Sequence, residues 1–274
     1  NADLFEAEGL APPDSWEALA QNAQALTVRE GDEVIRWGIQ WPSGFPYWLF
    51  QPLAIGSGQN IIAGDTEVVF DDPDVIEAVN FYISLSQEFG ATPAGVQANW
   101  AQSPVDFANG SAAMIVHSTG SLAGILASAD FEVGVQALPG QEEGTYASVP
   151  GGGNLYIFSG APQEKQDAAW KFIQFLTDPE RAATWSINTG YIAARESSLE
   201  STELQDYFND VPQAAAALEA LDFAQAELST QNLGEVRNIF HDFIQRAYNG
   251  EMSAAEAMAQ AQAEAEAALE PFMN

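Results

Sequence analysis

The sequence contains no cysteine, only two lysines and no long apolar run, and each absence narrows the possible functions. Without cysteine there are no disulfides, no cysteine–zinc or iron–sulfur sites and no thiol nucleophile. No stretch approaches the ~18–20 apolar residues of a membrane-spanning helix. Eight Lys and Arg residues are too few to build a basic groove for a phosphate backbone. We therefore expect neither nucleic-acid binding nor direct membrane insertion.

Acidic residues dominate the charge of the chain. There are 39 of them against eight basic residues, which gives a formal net charge of −31. Such a charge keeps a protein soluble by self-repulsion and is also one adaptation to high salt. Two interpretations stay open, a marine or halophilic source and an ordinary acidic exported protein. Because the chain begins at Asn1 rather than Met, we expect a processed chain or a fragment.

The pattern of apolar residues predicts an α/β protein. The 274 residues are 47% hydrophobic and include 16 Phe, which suffices for one large domain or two lobes. Short apolar strands alternate with longer amphipathic helices. Strands are predicted at residues 34–40, 112–116, 133–135 and 155–158. Helices are predicted to begin near Ser15, Asp72-Pro73, Pro162, Asp178-Pro179 and Ser253, which forms a capping box with Glu256. Trp170 and Trp185 lie on helical apolar stripes, and we expect both in the core.

No motif in the sequence supports catalysis. His117 and His241 stand alone among apolar residues, and neither a Gly-x-Ser-x-Gly elbow nor a Walker loop occurs. The acidic run at residues 71–74 lacks the further oxygen ligands of a calcium loop. The glycines at residues 151–153 precede a predicted strand, whereas a dinucleotide-binding loop follows one. We predict no enzyme activity, no catalytic residue, no metal and no cofactor.

Four segments, in the same order along the chain, resemble the carbohydrate-type extracellular solute-binding proteins of ABC importers. They are residues 1–17 (NADLFEAEGLAPPDSWE), 107–114 (FANGSAAM), 168–180 (AAWKFIQFLTDPE) and 189–192 (TGYI). The last segment departs from the family pattern, because Ala193 stands where the family usually has proline. The resemblance covers essentially the whole chain. It implies an α/β, periplasmic-binding-protein-like (type II) fold with two lobes.

Within that family, three further segments are similar to the sn-glycerol-3-phosphate-binding branch. They are residues 118–125 (STGSLAGI), 152–157 (GGNLYI) and 231–237 (QNLGEVR). The resemblance places six residues where this branch contacts its ligand, namely Trp48, Trp41, Ser121, Gly153, Tyr191 and Arg237. Trp41 and the neighbouring Tyr47 are the looser matches, since the aromatic loop in which they lie aligns less closely.

The resemblance also implies a division of the chain between the lobes. Family members are longer, and their counterpart of the first segment lies well into the chain. We therefore expect the first part of lobe 1 to be absent here. Residues 1–116 are predicted to belong to lobe 2, residues 117–160 to cross into lobe 1, and residues 161–274 to form a helical return, mostly in lobe 2. On this interpretation the site is complete only when the missing part is supplied.

The side chains at these positions have the chemistry that a polyol phosphate needs. Trp48 offers a flat wall for C–H faces, and Arg237 offers two parallel N–H donors for phosphate. Hydroxyl groups of Tyr191 and Ser121 add donors, and Gly153 allows close approach of the backbone. Each residue also has a structural interpretation that the sequence leaves open: Trp48 as core, Arg237 as ion-pair partner of Glu235 or Asp242, and Tyr191 and Ser121 as helix-end caps.

The predicted function is that of a monomeric receptor. It captures sn-glycerol-3-phosphate or a related polyol phosphate by lobe closure and delivers it to ABC permease subunits, in the periplasm or outside the cell. Three alternatives remain, a di- or oligosaccharide receptor of the same class, a glycoside hydrolase and an inert scaffold. Turnover of nitrophenyl glycosides distinguishes the hydrolase from a receptor, which binds without turnover.

Overall fold

The computed structural model describes residues 1–42, 46–95 and 99–273. Within these residues the strands are β1 (Val28–Glu30), β2 (Glu33–Gln40), β3 (Ile62–Gly64), β4 (Glu67–Val68), β5 (Ala112–Ile115), β6 (Leu138–Pro139) and β7 (Tyr146–Ala147). The α-helices are α1 (Ala2–Glu8), α2 (Trp16–Leu26), α3 (Pro46–Ser57), α4 (Pro73–Gln87), α5 (Gln102–Ala108), α6 (Leu122–Ser128), α7 (Gln163–Leu176), α8 (Pro179–Thr189), α9 (Glu196–Leu199), α10 (Thr202–Asp210), α11 (Pro212–Glu219), α12 (Leu233–Tyr248) and α13 (Ala254–Leu269). Three 3₁₀ helices cover Thr119–Ser121, Ala220–Phe223 and Glu270–Phe272.

A three-stranded sheet in the order β1-β2-β5 lies beside the main core. β1 and β2 are antiparallel, whereas β2 and β5 are parallel, with Ile39 opposite Met114. A parallel pair requires a long crossover, which here runs through α3, α4 and α5. The predicted strands at 34–40 and 112–116 are confirmed as β2 and β5. Beyond β5 the chain leaves the sheet and enters the loop that leads to α6.

Helix starts follow the capping chemistry written in the sequence. The Ser15 side chain accepts a hydrogen bond from the Ala18 N–H at 3.2 Å and starts α2. Asp72 and Asp178 cap α4 and α8 in the same way, each followed by a proline in the first turn. The capping box of Ser253 and Glu256 is present at the start of α13. The predicted helix starts are therefore confirmed at these four positions.

The main core is built from helices at both ends of the described chain. α2, α3 and α4 contribute its first half, and α12 and α13 return to complete it. The Phe240 ring of α12 lies 5.5 Å from the Phe50 ring and 4.8 Å from the Phe70 ring. All three side chains are fully buried, and burial of each stabilises the fold by roughly 1.5–3 kcal/mol. No residue of α7–α11 belongs to this core cluster.

Gly38 allows α2 to pack directly on the backbone of β2. A Cβ atom at this position would lie 1.7 Å from the carbonyl oxygen of Ala23. The Gly38 N–H donates a hydrogen bond to Thr27 Oγ1 at 3.0 Å, just beyond the end of α2. This close contact fixes the helix against the sheet.

Two predicted strands are not formed. Residues 133–135 and 155–158 have no strand structure, although their apolar sequences favour it. Tyr156 and Phe158 are 84% and 78% exposed. A strand requires a neighbour for its backbone N–H and C=O groups, and neither segment has one among the described residues. Val133 of the first segment is nevertheless buried beside Phe107 and Ile125, so apolar residues there are buried without forming a strand, whereas most of those in the second segment are exposed.

The aromatic residues of α7 and α8 are also exposed. Trp170 and Trp185, which we expected in the core, are 53% and 60% exposed. Phe172 and Phe175 of α7 are exposed as well, and no residue of α7 is buried. The expectation was wrong because an apolar helical stripe is buried only where another element packs on it, and α7 has such contact mainly with α8. We call Leu155, Tyr156, Phe158, Trp170, Phe172 and Phe175 the exposed apolar surface.

Candidate functional site

A cavity of about 910 Å³ opens beside the sheet, in the size range of small-molecule sites. Its walls come from the loop after β5, from α3, from the segment that follows β7 and from the loop after α8. Three of the six predicted ligand residues line it, Trp48, Gly153 and Tyr191. The cavity therefore brings together residues that lie more than a hundred positions apart in the sequence.

Trp48 forms one wall of the cavity, on the first turns of α3. Its indole ring lies against the backbone of Gly151, where a Cβ atom would come within 2.8 Å of the ring. The Trp48 Nε1–H is buried and has no hydrogen-bond partner among the described residues. The side chain is only partly buried and contacts both the main core and a small cluster containing Val149. Trp48 thus combines a core role with an exposed ring face.

Tyr191 forms a second wall, at the end of α8. Its ring packs on Gly120, where a Cβ atom would lie 2.4 Å from the ring carbons. Gly190 ends the helix with φ 89°, a left-handed conformation that glycine adopts without strain. The Ser186 hydroxyl donates to the Tyr191 carbonyl and holds the turn. These contacts fix the tyrosine backbone at the edge of the cavity.

The loop after β5 supplies polar groups between these walls. His117, Ser118 and Thr119 line the cavity. The Ser118 hydroxyl accepts a hydrogen bond from the Gly120 N–H at 3.1 Å and thereby starts the 3₁₀ turn. Ser121 does not line the cavity, although the next residue, Leu122, does. The Ser121 side chain accepts no hydrogen bond from the first turn of α6. Ser121 thus occupies the N-cap position of α6 without a side-chain hydrogen bond, whereas Ser118 caps the 3₁₀ helix that precedes it.

Trp41 lies in the core and not on the cavity. It is 2% exposed, and its ring meets the edge of Tyr82 with the centroids 5.5 Å apart. The Trp41 Nε1–H donates to the Leu49 carbonyl at 3.4 Å. Our expectation of a ligand wall at Trp41 is corrected by this placement, since a fully buried indole has no face left for a ligand.

Arg237 lies behind the cavity wall in a polar cluster with Tyr47, Glu227 and His241. The Tyr47 hydroxyl donates to Glu227 Oε1 at 2.9 Å, and Glu227 lines the cavity. The Tyr47 backbone N–H donates to His241 Nε2 at 3.2 Å, and the two rings stack 5.4 Å apart. Arg237 makes no ion pair within 4.0 Å among the described residues, so the expected alternatives Glu235 and Asp242 do not pair with it.

Burial and charge shift two pKa values in this cluster. Burial raises the pKa of Tyr47 to about 12, and the hydrogen bond to Glu227 and the negative charge of that carboxylate add to the shift. Burial and then the Arg237 charge lower the pKa of His241 to about 4. His241 is therefore neutral near pH 7, which suits its role as acceptor from the Tyr47 N–H.

Sequence reasoning missed Glu227 as a cavity residue. Glu227 lies outside every motif, in the connection between the 3₁₀ helix Ala220–Phe223 and α12. It is one of 39 acidic residues, and only the fold distinguishes it from the others.

The described residues also hold no group of three or more His, Asp or Glu side chains placed to bind a metal ion.

Comparison with known proteins now places this geometry in a family. Residues 1–220 match the family model described as bacterial extracellular solute-binding protein. The chain belongs to this family. The match covers most of the chain and includes the loop after β5, the segment after β7 and the loop after α8, which contribute to the cavity.

Individual relatives agree with the family assignment. The sn-glycerol-3-phosphate-binding periplasmic protein UgpB of Yersinia enterocolitica is 26% identical over 276 residues, covering 94% of this chain. The same-named protein of Escherichia coli K12 is 26% identical over 278 residues, again over 94% of this chain. The chain spans 61% of the length of each of these relatives.

Solved structures confirm the fold. UgpB of Mycobacterium tuberculosis in complex with glycerophosphocholine superposes with a TM-score of 0.84 at 26% identity, over 100% of this chain and 68% of that one. A solute-binding protein of Thermotoga lettingae bound with α-D-tagatose gives 0.84 at 21% identity, over 98% and 69%. The predicted type II periplasmic-binding-protein-like α/β fold is therefore confirmed. Among the described residues of this chain, each helix is too short or too polar to span a bilayer.

Proposed function

We propose that this protein is the solute receptor of an ABC importer and that it captures sn-glycerol-3-phosphate or a related polyol phosphate. One observation carries the proposal: the Trp48 ring, the glycine backbone at residues 151–153 and the Glu227 carboxylate share one cavity, with Arg237 directly behind it. The 26% identity to UgpB proteins over nearly the whole chain supports the same ligand class.

The two ends of a polyol phosphate need different surroundings. Its carbon skeleton packs against the indole of Trp48, and its phosphate takes hydrogen bonds from the Tyr191 hydroxyl and from backbone N–H groups near Gly153. Arg237, which lies behind the cavity wall, reaches the phosphate when the site closes. Ser121 follows the polar loop and adds a hydroxyl when the site closes. A net charge of −31 repels a phosphate at long range, so these short-range donors must dominate. Salt screens the repulsion over ~8–10 Å near physiological ionic strength.

A receptor of this kind changes no covalent bond. Closure of two lobes excludes water around the ligand and presents a new surface to the permease subunits. We propose that it acts as a monomer in the periplasm or outside the cell, as the family name and the periplasmic relatives support. Capture without turnover distinguishes it from a glycoside hydrolase.

The exposed apolar surface supports the proposed division into lobes. Its six large side chains belong to residues 155–175, where the chain is proposed to cross into lobe 1 and return. We propose that the first part of lobe 1 packs on this surface and completes the cavity. The relatives support this, because more than a third of their length lies outside the part that this chain matches. Residues 1–116 then belong to lobe 2, residues 117–160 form the crossing, and residues 161–274 the helical return.

Ligand-detected NMR and calorimetry test the ligand class, on the full-length protein in which the first part of lobe 1 completes the cavity, with this chain measured beside it. We expect sn-glycerol-3-phosphate to bind, and Arg237→Ala to weaken it by roughly 10- to 100-fold, the effect of losing a charged hydrogen bond. Arg246→Ala is the matched control, since Arg246 lies on the same helix but faces Glu251 at 3.6 Å. Equal affinity in Arg237→Ala, or no binding to the parent protein with lobe 1 complete, contradicts the proposal of a phosphate ligand.

A di- or oligosaccharide is the second candidate, and Glu227 favours it. Carboxylates accept hydrogen bonds from sugar hydroxyls, and indole rings stack on sugar faces. Binding of maltose that does not respond to Arg237→Ala supports this alternative. Release of nitrophenol from nitrophenyl glycosides by the chain contradicts both receptor proposals.

A further inference from the structure

Glu227 faces the cavity with one of its two carboxylate oxygens unused. Oε1 accepts the hydrogen bond from Tyr47, whereas Oε2 has no hydrogen-bond partner among the described residues. The segment that carries it, residues 224–228, is held to the rest of the fold at several points. One of these is the bridge between Ala224 and Ser148, itself a cavity residue.

Gln51, a fully buried polar side chain, forms hydrogen bonds with the backbone on both sides of Glu227. Gln51 Nε2 donates to the Ala226 carbonyl at 2.9 Å, and Gln51 Oε1 accepts from the Leu228 N–H at 3.0 Å. The two bonds bracket Glu227 on both sides. Gln51 Nε2 also donates to Asn60 Oδ1 at 2.6 Å, which fixes the amide in this orientation. The main chain of Glu227 is therefore held in place, and the bond from Tyr47 holds one oxygen of its carboxylate.

A neutral phenol, that of Tyr47, stands beside both this carboxylate and a cationic side chain. The Tyr47 hydroxyl donates a hydrogen bond to Glu227, and its oxygen lies beside the Arg237 guanidinium. His241, the other titratable neighbour, adds no charge near pH 7. A cationic and an anionic group thus stand on the two sides of one phenol. A phosphate bound at Arg237 therefore has the negative Glu227 among its neighbours, because both groups lie beside Tyr47.

We infer that Glu227 is a specificity-determining ligand contact, which accepts a hydrogen bond from a hydroxyl on the carbon chain next to the phosphate, and that Gln51 positions it. The inference rests on the proposed function and names the ligand class more closely, as a phosphate with a neighbouring hydroxyl. Such a hydroxyl donates a hydrogen bond to the carboxylate and lies between it and the phosphate. A phosphate without hydroxyls leaves the two negative groups facing each other with no proton between them.

The test compares two ligands that differ only in hydroxyl groups, sn-glycerol-3-phosphate and propyl phosphate. We expect the parent chain to prefer the first by roughly 10- to 100-fold, the effect of one hydrogen bond to a charged group. Glu227→Gln, which keeps the shape and removes the charge, should lower this preference to below about threefold, chiefly by tightening propyl phosphate. Glu235→Gln is the control, because Glu235 is exposed in the first turn of α12.

The outcomes separate the two proposals. A preference that Glu227→Gln leaves unchanged overturns the inference and leaves the receptor proposal standing. If the parent protein, with lobe 1 complete, binds neither phosphate, the phosphate receptor is rejected and this inference with it. Gln51→Met adds a second test, since loss of its two backbone bonds should also lower the preference. A fall in thermal stability with an unchanged preference would restrict Gln51 to a structural role.

Discussion

The indole of Trp48 rests on the backbone of Gly151 so closely that no side chain fits between them. A Cβ atom at residue 151 would stand 2.8 Å from two ring carbons and 2.9 Å from Nε1. Gly151 belongs to the segment after β7, and Trp48 belongs to α3. The contact therefore joins two walls of the cavity and sets the angle of the aromatic one.

Gly151→Ala is expected to weaken ligand binding while the fold survives. The added methyl group must push the Trp48 ring or the glycine segment out of place, at a cost of about 1–3 kcal/mol. Because the displaced Trp48 ring packs less well on the ligand, the dissociation constant for sn-glycerol-3-phosphate should rise roughly tenfold. Gly124→Ala serves as the control, because nothing lies within 4 Å of a Cβ there. Equal affinities in both variants would contradict the proposed role of the Trp48 wall.

Gly38→Ala is expected to destabilise the whole protein. The new Cβ would lie 1.7 Å from the Ala23 carbonyl oxygen, so α2 has to move off β2. We expect a loss of at least about 1–3 kcal/mol in the free energy of unfolding, measured with urea. Gly234→Ala, in a helix with open space around its Cβ, should instead gain up to ~1 kcal/mol. A neutral Gly38→Ala would show that the contact between α2 and β2 is looser than described.

The exposed apolar surface and the core should respond differently to the same kind of change. Phe172→Ala removes a side chain that is 58% exposed, and we expect a change within ~0.5 kcal/mol in this chain. Phe240→Ala removes a fully buried ring that packs on Phe50 and Phe70, and should cost about 3–5 kcal/mol. Chemical denaturation of the two variants provides the comparison. A large loss of unfolding free energy in Phe172→Ala would contradict the exposure of this side chain, because only a packed ring contributes that much.

His241 is expected to make the protein less stable in acid. Its pKa is lowered from 6.5 to about 4 by burial and by Arg237, with the Tyr47 N–H as its hydrogen-bond donor. As the pH falls from 6.5 towards 4, the unfolded chain takes up the proton first, so the free energy of unfolding decreases. His241→Gln keeps an acceptor and removes the titration. Urea unfolding of both proteins across that range tests this: the parent should lose stability relative to the variant, and a constant difference contradicts it.

Local chemistry explains why helix starts could be predicted from the sequence. Ser15, Asp72, Asp178 and Ser253 each cap a helix through a bond to a residue two or three positions ahead, so the signal is contained in a few letters. Strands at 133–135 and 155–158 could not be decided in this way. Their formation depends on a partner strand elsewhere, which a local apolar pattern does not reveal.

The site was predictable only in part. Resemblance to the family pointed to Trp48, Gly153 and Tyr191, and these three line one cavity. It also pointed to Trp41, whose ring is instead buried against Tyr82. Glu227 lies at the cavity because Gln51, which is 176 residues earlier in the sequence, holds the backbone on either side of it. No spacing rule in the sequence connects two such residues.

The aromatic surface of α7 and the net charge of −31 act against each other in solution. In dilute buffer, electrostatic self-repulsion holds copies of the chain apart over more than ~10 Å. Sulfate shortens that range and at the same time strengthens contact between apolar faces. Concentrated sulfate should therefore draw the molecules together through the rings of Trp170, Phe172 and Phe175, so that one helix governs the colloidal behaviour of an otherwise highly charged protein.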